Sequence, residues 1–167
     1  MSDDQWRLLV DPAWQSADGQ KPPAESVLGG WALIEGVVGR FEPNPDYEPP
    51  TPDSATDPVD AALRLMAAGA VDAEALSSVV REAEFGVALD EHQQPLLASD
   101  GVPSFLVTTA PAHRRRIHCE AWQVVNAAEL AAMLADHEVD ALLNPGSAAA
   151  TRLPAASVAA AAGYPTP

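Results

Sequence analysis

Cysteine is almost missing. Cys119 stands alone among 167 residues. A single thiol closes no intrachain disulfide, so nothing in the chain calls for an oxidising compartment. Bases are scarce as well: nine Lys and Arg stand against 24 Asp and Glu, a formal charge of −15. Phosphate backbones and anionic headgroups are bound by Lys and Arg, so this balance argues against nucleic acid and against a lipid surface. It leaves a soluble chain with a bias toward a basic partner. Long apolar runs are missing too. Nothing approaches the roughly 20 residues of a membrane span. The opening MSDDQWRLLVDPAW lacks the basic start and apolar stretch of an export signal. The expected compartment is the cytoplasm, without membrane insertion.

What is present falls into two regions. Nine of the 16 prolines lie in residues 1–60, together with most of the acid excess. SADGQKPPAES and EPNPDYEPPTPDSATDP read as loops or polyproline-like linkers. Between them, GGWALIEGVVGRFEPN carries Trp31, Leu33, Val38 and Phe41 in a pattern that predicts a short hairpin turning at Glu35-Gly36. Residues 1–56 are therefore expected to form an acidic, mostly irregular arm with one hairpin. That arm holds three of the four tryptophans. Trp14 and Trp31 are expected to dock it on the domain or on a partner.

Residues 57–162 carry the pattern of a compact domain, with 163–167 as a tail. Asp57 and Pro58 open a helix that Gly69 stops, and Asp72 caps a second helix with Leu76, Val79 and Val80 on one face. FGVAL, PLLA and SFLVTT read as a three-stranded meander, and AWQVV as a further strand. Asn126 and Glu129 form a capping box for the helix NAAELAAML, after which VDALL reads as the last strand. That strand–helix–strand run is close to the minimum for a parallel crossover. PAASVAAAAG reads as a short final helix ending at Gly163. The expected class is α+β (mixed α/β): one sheet of about five strands with helices packed on it.

VDALL stops at Asn144-Pro145-Gly146. Proline presets the second position of a turn and glycine accepts positive φ at the third, so these residues predict a type II turn. A phosphate-binding loop would need more glycines and a lysine. A nucleophile elbow would need a glycine two residues after Ser147.

DGVPSFLVTTAPAHRRR, a capped helix and VDALLNPGSAAATRL together resemble the SseB N-terminal domain family, as does LSSVVREAEFGVAL upstream. The resemblance covers roughly residues 57–160. The arm, with DPAW and GGWALIEGVVGRFEPNPDYEPPTPDSATDPVDAAL, is similar to that of actinobacterial proteins described as type VII secretion system-associated, which carry an SseB-like domain after such an arm. The resemblance implies the SseB-type α+β fold and a role beside the secretion machinery. It supplies no catalytic residues.

The remaining chemistry is concentrated in PAHRRRIHCEAW. His113, His118 and Cys119 make a poor metal set, because residues five apart share a face on neither a helix nor a strand. The neighbouring arginines could lower the Cys119 thiol pKa, but no third group is in view to orient a Cys-His pair. Glu82/Glu84 and Asp90/Glu91 read as solvated carboxylates. Arg114, Arg115 and Arg116 are half of the domain's bases in an acidic protein. They suit carboxylate capture, either from the arm through Glu42, Asp46, Glu48 or Asp53, or from a partner.

The sequence thus predicts a non-enzymatic cytoplasmic accessory protein, adaptor- or chaperone-like, linked to type VII secretion and acting by protein recognition, with no cofactor and no metal. Its partner would be a secretion component or substrate. Two alternatives stand beside it: an SseB-like regulatory module without a secretion link, and a small enzyme using Cys119 or Ser147.

Overall fold

Asp57 lies in extended backbone and its carboxylate accepts from the N–H groups of Val59 (2.9 Å) and Asp60 (3.0 Å). With Pro58 at the first helical position, this fixes where the helical part of the chain begins. The computed structural model describes residues 5–15 and 19–164. In chain order the elements are β1 (Gln5–Val10), β2 (Val27–Ile34), β3 (Val37–Pro43), α1 (Pro58–Ala67), α2 (Ala73–Glu82), β4 (Glu84–Leu89), β5 (Ser104–Thr108), α3 (Pro111–Arg114), β6 (Ala121–Asn126), α4 (Ala127–His137), β7 (Asp140–Leu143), β8 (Thr151–Leu153) and α5 (Ala155–Ala161). The chain is α+β. No helix among the described residues is long and apolar enough to cross a membrane.

The hairpin is where the sequence predicts it. Ile34 pairs with Val37, and Glu35 and Gly36 both take positive φ, as a two-residue primed turn requires. The arm is less irregular than expected. Gln5–Val10 pairs antiparallel with β2, so the hairpin becomes a separate three-stranded sheet. The segment is largely exposed on both faces, so no burial period marks it as a strand, and only its cross-strand partners reveal it.

The second sheet has five strands in the order β6-β4-β5-β7-β8. The number matches the expectation but the membership does not. PLLA contributes only isolated bridges, Leu89 to Pro95 and Leu97 to Phe105, while the unforeseen Thr151–Leu153 pairs with β7. β6 and β7 run in the same direction, yet β4 and β5 lie between them. The parallel neighbour of β7 is β5. The α4 crossover therefore spans two strands.

One face of this sheet carries Phe85, Val87, Phe105, Val107, Ala141 and Leu143, all buried against Leu63 of α1, Leu76 and Val80 of α2, Leu130 and Leu134 of α4 and Val158 of α5. Every member of that cluster comes from residue 59 onward. The opposite face carries Gly86, Ala88, Leu106, Thr108, Trp122, Val124 and Leu142, as the cross-strand partners Gly86–Thr108, Gly86–Val124, Ala88–Trp122 and Leu106–Leu142 require. Among the described residues it has no helix layer comparable to the first, and Val124 is exposed.

Candidate functional site

The C-terminal ends of β5 and β7 converge on the start of α1. Asn144 follows β7 with left-handed φ of 49° and is fully buried. Its side chain faces Thr109: Oδ1 accepts the Thr109 backbone N–H (2.9 Å), and Nδ2 donates to the Thr109 hydroxyl (2.8 Å). That hydroxyl in turn donates to Asp57 Oδ2 (2.7 Å). Thr56 donates to the same carboxylate oxygen (2.8 Å), and its Oγ1 lies 2.6 Å from His113 Nε2. Arg116 Nη1 lies 3.0 Å from His113 Nδ1. Thr56, Asp57, Thr109, His113 and Asn144 are all buried.

The proton order in this network follows from what each group can do. Arginine only donates, so Nδ1 of His113 is the acceptor and the proton sits on Nε2. Nε2–H then donates to Thr56, leaving the Thr56 proton for Asp57. Desolvation by burial, with smaller effects from Arg116 and Arg64, pushes His113 down to about 4. The neighbouring Asp60 acts in the opposite sense. Burial also raises the pKa of Asp57, against the hydroxyl and N–H bonds that favour its charged form. A nucleophilic hydroxyl would need to give its proton to the histidine. Here the hydroxyl gives it to the carboxylate, and the group is sealed from solvent. The network is a polar latch joining the end of the arm, α1, β5 and the β7 turn.

The Asn-Pro-Gly turn is as predicted. Ser147 N–H donates to the Asn144 carbonyl (3.0 Å), and Gly146 takes φ of 77°. What the sequence did not disclose is that the Asn144 side chain is the innermost member of the latch. Thr56 and Thr109 were missed in the same way, and His113 was weighed only beside His118 and Cys119. The one signal for Thr109 was its place after Thr108 at the end of an apolar strand, where a hydroxyl must find a buried partner.

The three arginines separate. Arg115 pairs with Glu48 of the arm, one of the four carboxylates predicted for it, with both side chains well exposed. Arg116 serves His113 and lies against Gly146. Arg114 turns to the open sheet face, its guanidinium carbon 5.2 Å from the centroid of the Trp122 ring. Both nitrogens of His113 are engaged, so that ring is not free to activate Cys119 or Ser147. Ser147 Oγ is buried with no hydrogen-bond partner. Among the described residues no three His, Cys, Asp or Glu gather as a metal site.

Two adjoining hollows lie where the arm meets the domain. Trp31 and Phe41, with ring centroids 4.9 Å apart, wall a groove of about 200 Å³ against Pro58, Val79 and Ala83. Beside it is a cavity of about 90 Å³ lined by Gly86, Thr108 and Arg114. Pro43, Glu84 and Thr109 are common to both walls. Trp14 lies apart from these, at an open hollow with Asp11, Glu25 and Glu48. Compared with protein-family models, curated proteins and solved structures, the chain finds no match.

Proposed function

We propose that this chain is a protein-recognition module, an adaptor- or chaperone-like accessory without chemistry of its own, that works beside a type VII secretion system in the cytoplasm. The observation that carries the recognition reading is the groove of about 200 Å³ walled by Trp31 and Phe41. Aromatic-lined apolar hollows with a few placed charges are what side-chain anchors of partner proteins fill. The exposed apolar face of the arm sheet, with Trp6, Leu8, Ile34 and Val37, adds surface of the same kind. The secretion link rests on the resemblance of residues 57–160 and of the arm to SseB-like, secretion-associated proteins.

The test is a photo-crosslinking side chain placed at Ser78 in the groove, at Leu8 on the arm sheet and at exposed Glu138 as a control, in cells of the source organism. A single protein trapped at Ser78 or Leu8 but not at Glu138 supports the reading, and its identity decides between a secretion component or substrate and a regulatory partner. Trapping at none of the three overturns it. The enzyme alternative is tested by Cys119→Ser and Ser147→Ala. Loss of the biological role with an unchanged thermal midpoint would favour that alternative.

A further inference from the structure

Among the described residues, Arg114 is the arginine of the run without a hydrogen-bond or ion-pair acceptor. Its Nε is buried and has no hydrogen-bond partner, while Arg115 has Glu48 and Arg116 has His113. Its guanidinium carbon lies over the Trp122 ring, 5.2 Å from the centroid, a cation–π contact. Gly86 makes the room: a Cβ there would stand 3.1 Å from Arg114 Nη2 and 2.8 Å from Thr108 Oγ1. The absence of a side chain opens the cavity that Arg114 lines. A buried guanidinium N–H without a partner is costly, and a planar acceptor that engages Nε together with one Nη relieves that cost.

We propose that Arg114 receives a carboxylate side chain of a partner protein, with a large apolar side chain of the same segment seated in the adjoining groove. This rests on the protein-recognition reading above. The cavity and the groove share walls, so one short segment reaches both. Glu82 and Glu84 stand in the wall of the groove; Glu84 lies 3.9 Å from Arg40, which leaves Glu82 to favour a basic residue next to the apolar anchor. Glu84 also borders the cavity, and the chain carries a charge of −15. These negative charges repel a phosphate dianion about twice as strongly as a singly charged carboxylate, so the carboxylate is the favoured acceptor for Arg114. The predicted recognition sequence is an acid, a bulky apolar residue and a base within a few positions.

The experiment presents the full chain to a random library of capped hexapeptides. The best binders are then titrated against the wild type, Arg114→Lys and Arg114→Gln, with the Trp31 and Trp122 indole resonances followed by NMR. Enrichment of Asp or Glu beside Leu, Phe or Trp is expected, with both indoles shifting on binding. Replacing the peptide acid by its amide should cost about 10-fold or more against the wild type, the size of a charge-assisted pair. Against Arg114→Gln that penalty should shrink to about twofold or less, as a coupled pair demands. Ser78→Trp, which fills the groove from the surface of α2, should weaken every selected peptide while keeping the thermal midpoint.

No enrichment, enrichment without an acid, or an amide penalty unchanged in Arg114→Gln overturns the proposal. So does 4-phenylbutyrate binding as tightly as the best peptide, since the occupant would then be a free acid. A partner trapped at Leu8 alone would leave the adaptor reading standing while this proposal falls.

Discussion

Nε2 of His113 lies 2.6 Å from the hydroxyl of Thr56, and the opposite ring nitrogen faces Arg116 at 3.0 Å. The ring is thereby held neutral between a cation that can only donate and a hydroxyl whose own proton is committed to Asp57. The arrangement joins the arm's last residues to the domain through a direction of hydrogen bonding that protonation would break.

That direction makes the latch sensitive to acid. The ordinary histidine value is 6.5, and His113 is held at about 4. As pH falls through this interval the unfolded chain takes up a proton that the folded chain refuses, so stability drops with falling pH and levels off below about 4. The full effect is on the order of 3 kcal/mol. The raised carboxyl of Asp57 works the other way, because the folded state accepts its proton more readily than the unfolded chain. His113→Gln should be less stable at pH 7 and lose this slope. Urea unfolding of both proteins at several pH values between 7 and 4 isolates the latch, since the carboxylates outside it contribute equally to each. Parallel curves would refute the assignment.

Asp57 and Asp72 are both helix caps, and the structure makes them unequal. Asp72 accepts one exposed N–H, from Ala75. Asp57 accepts two N–H groups and two hydroxyls in a buried setting. Asp72→Ala should cost about 1 kcal/mol. Asp57→Ala leaves several buried donors unmatched and should cost about 3 kcal/mol or more. Equal losses by urea titration would mean that the latch contributes nothing beyond capping.

At the Asn-Pro-Gly turn the strain and the hydrogen bonding can be separated. A Cβ on Gly146 would meet only Arg116, at 3.5 Å, so the space is free and only the positive φ resists a side chain. Gly146→Val should cost about 1–3 kcal/mol. Asn144→Ala should cost more than Gly146→Val, because it empties two bonds to Thr109 and also puts alanine in the left-handed region. The order of the two thermal midpoints decides this. A fully stable Gly146→Val that had lost partner binding would make the turn a recognition element.

The four longer helices, the caps of three of them and the hairpin turn were legible in the sequence because each is set by residues adjacent in the chain. Asp57-Pro58, Asn126 with Glu129, and Glu35-Gly36 carry their own reasons. β1 and β8 were not legible, because Gln5–Val10 and Thr151–Leu153 owe their regularity to the strands they pair with. The latch was hidden for the same reason. Asp57 reads locally as a cap and Asn144 as a turn residue, and only the closing of the sheet brings them to the two sides of Thr109. The arginine run was visible as a run. That its members face three different ways depends on α3, one turn long, which the sequence did not announce.

The arm should prove separable in folding though not in stability. The apolar cluster draws nothing from before residue 59. A chain beginning at Ala55 keeps Thr56 and the whole latch, and should retain its α+β circular dichroism. It loses Trp31, Phe41 and Pro43 from the groove beside Val79, and the bond from Tyr47 to Asp11 goes with them. A lower thermal midpoint is the expected outcome. Complete unfolding would place the arm inside the folding unit.

Replacing all three arginines together would mix three effects that single variants keep apart. Arg115→Ala removes an exposed pair with Glu48 and should change stability by less than about 1 kcal/mol, with any effect fading at high salt. Arg116→Ala takes the donor from Nδ1 of His113 and should destabilise by about 1–2 kcal/mol. Because Arg116 opposes protonation of that ring, the variant should also show a higher His113 pKa, readable by NMR titration. Arg114→Ala removes a guanidinium whose Nε has no hydrogen-bond partner among the described residues, so its loss costs only the cation–π contact with Trp122. It should leave the thermal midpoint nearly unchanged while weakening partner binding. Should Arg115→Ala prove the most damaging to stability, or Arg114→Ala leave binding intact, the division of roles within the run would be wrong.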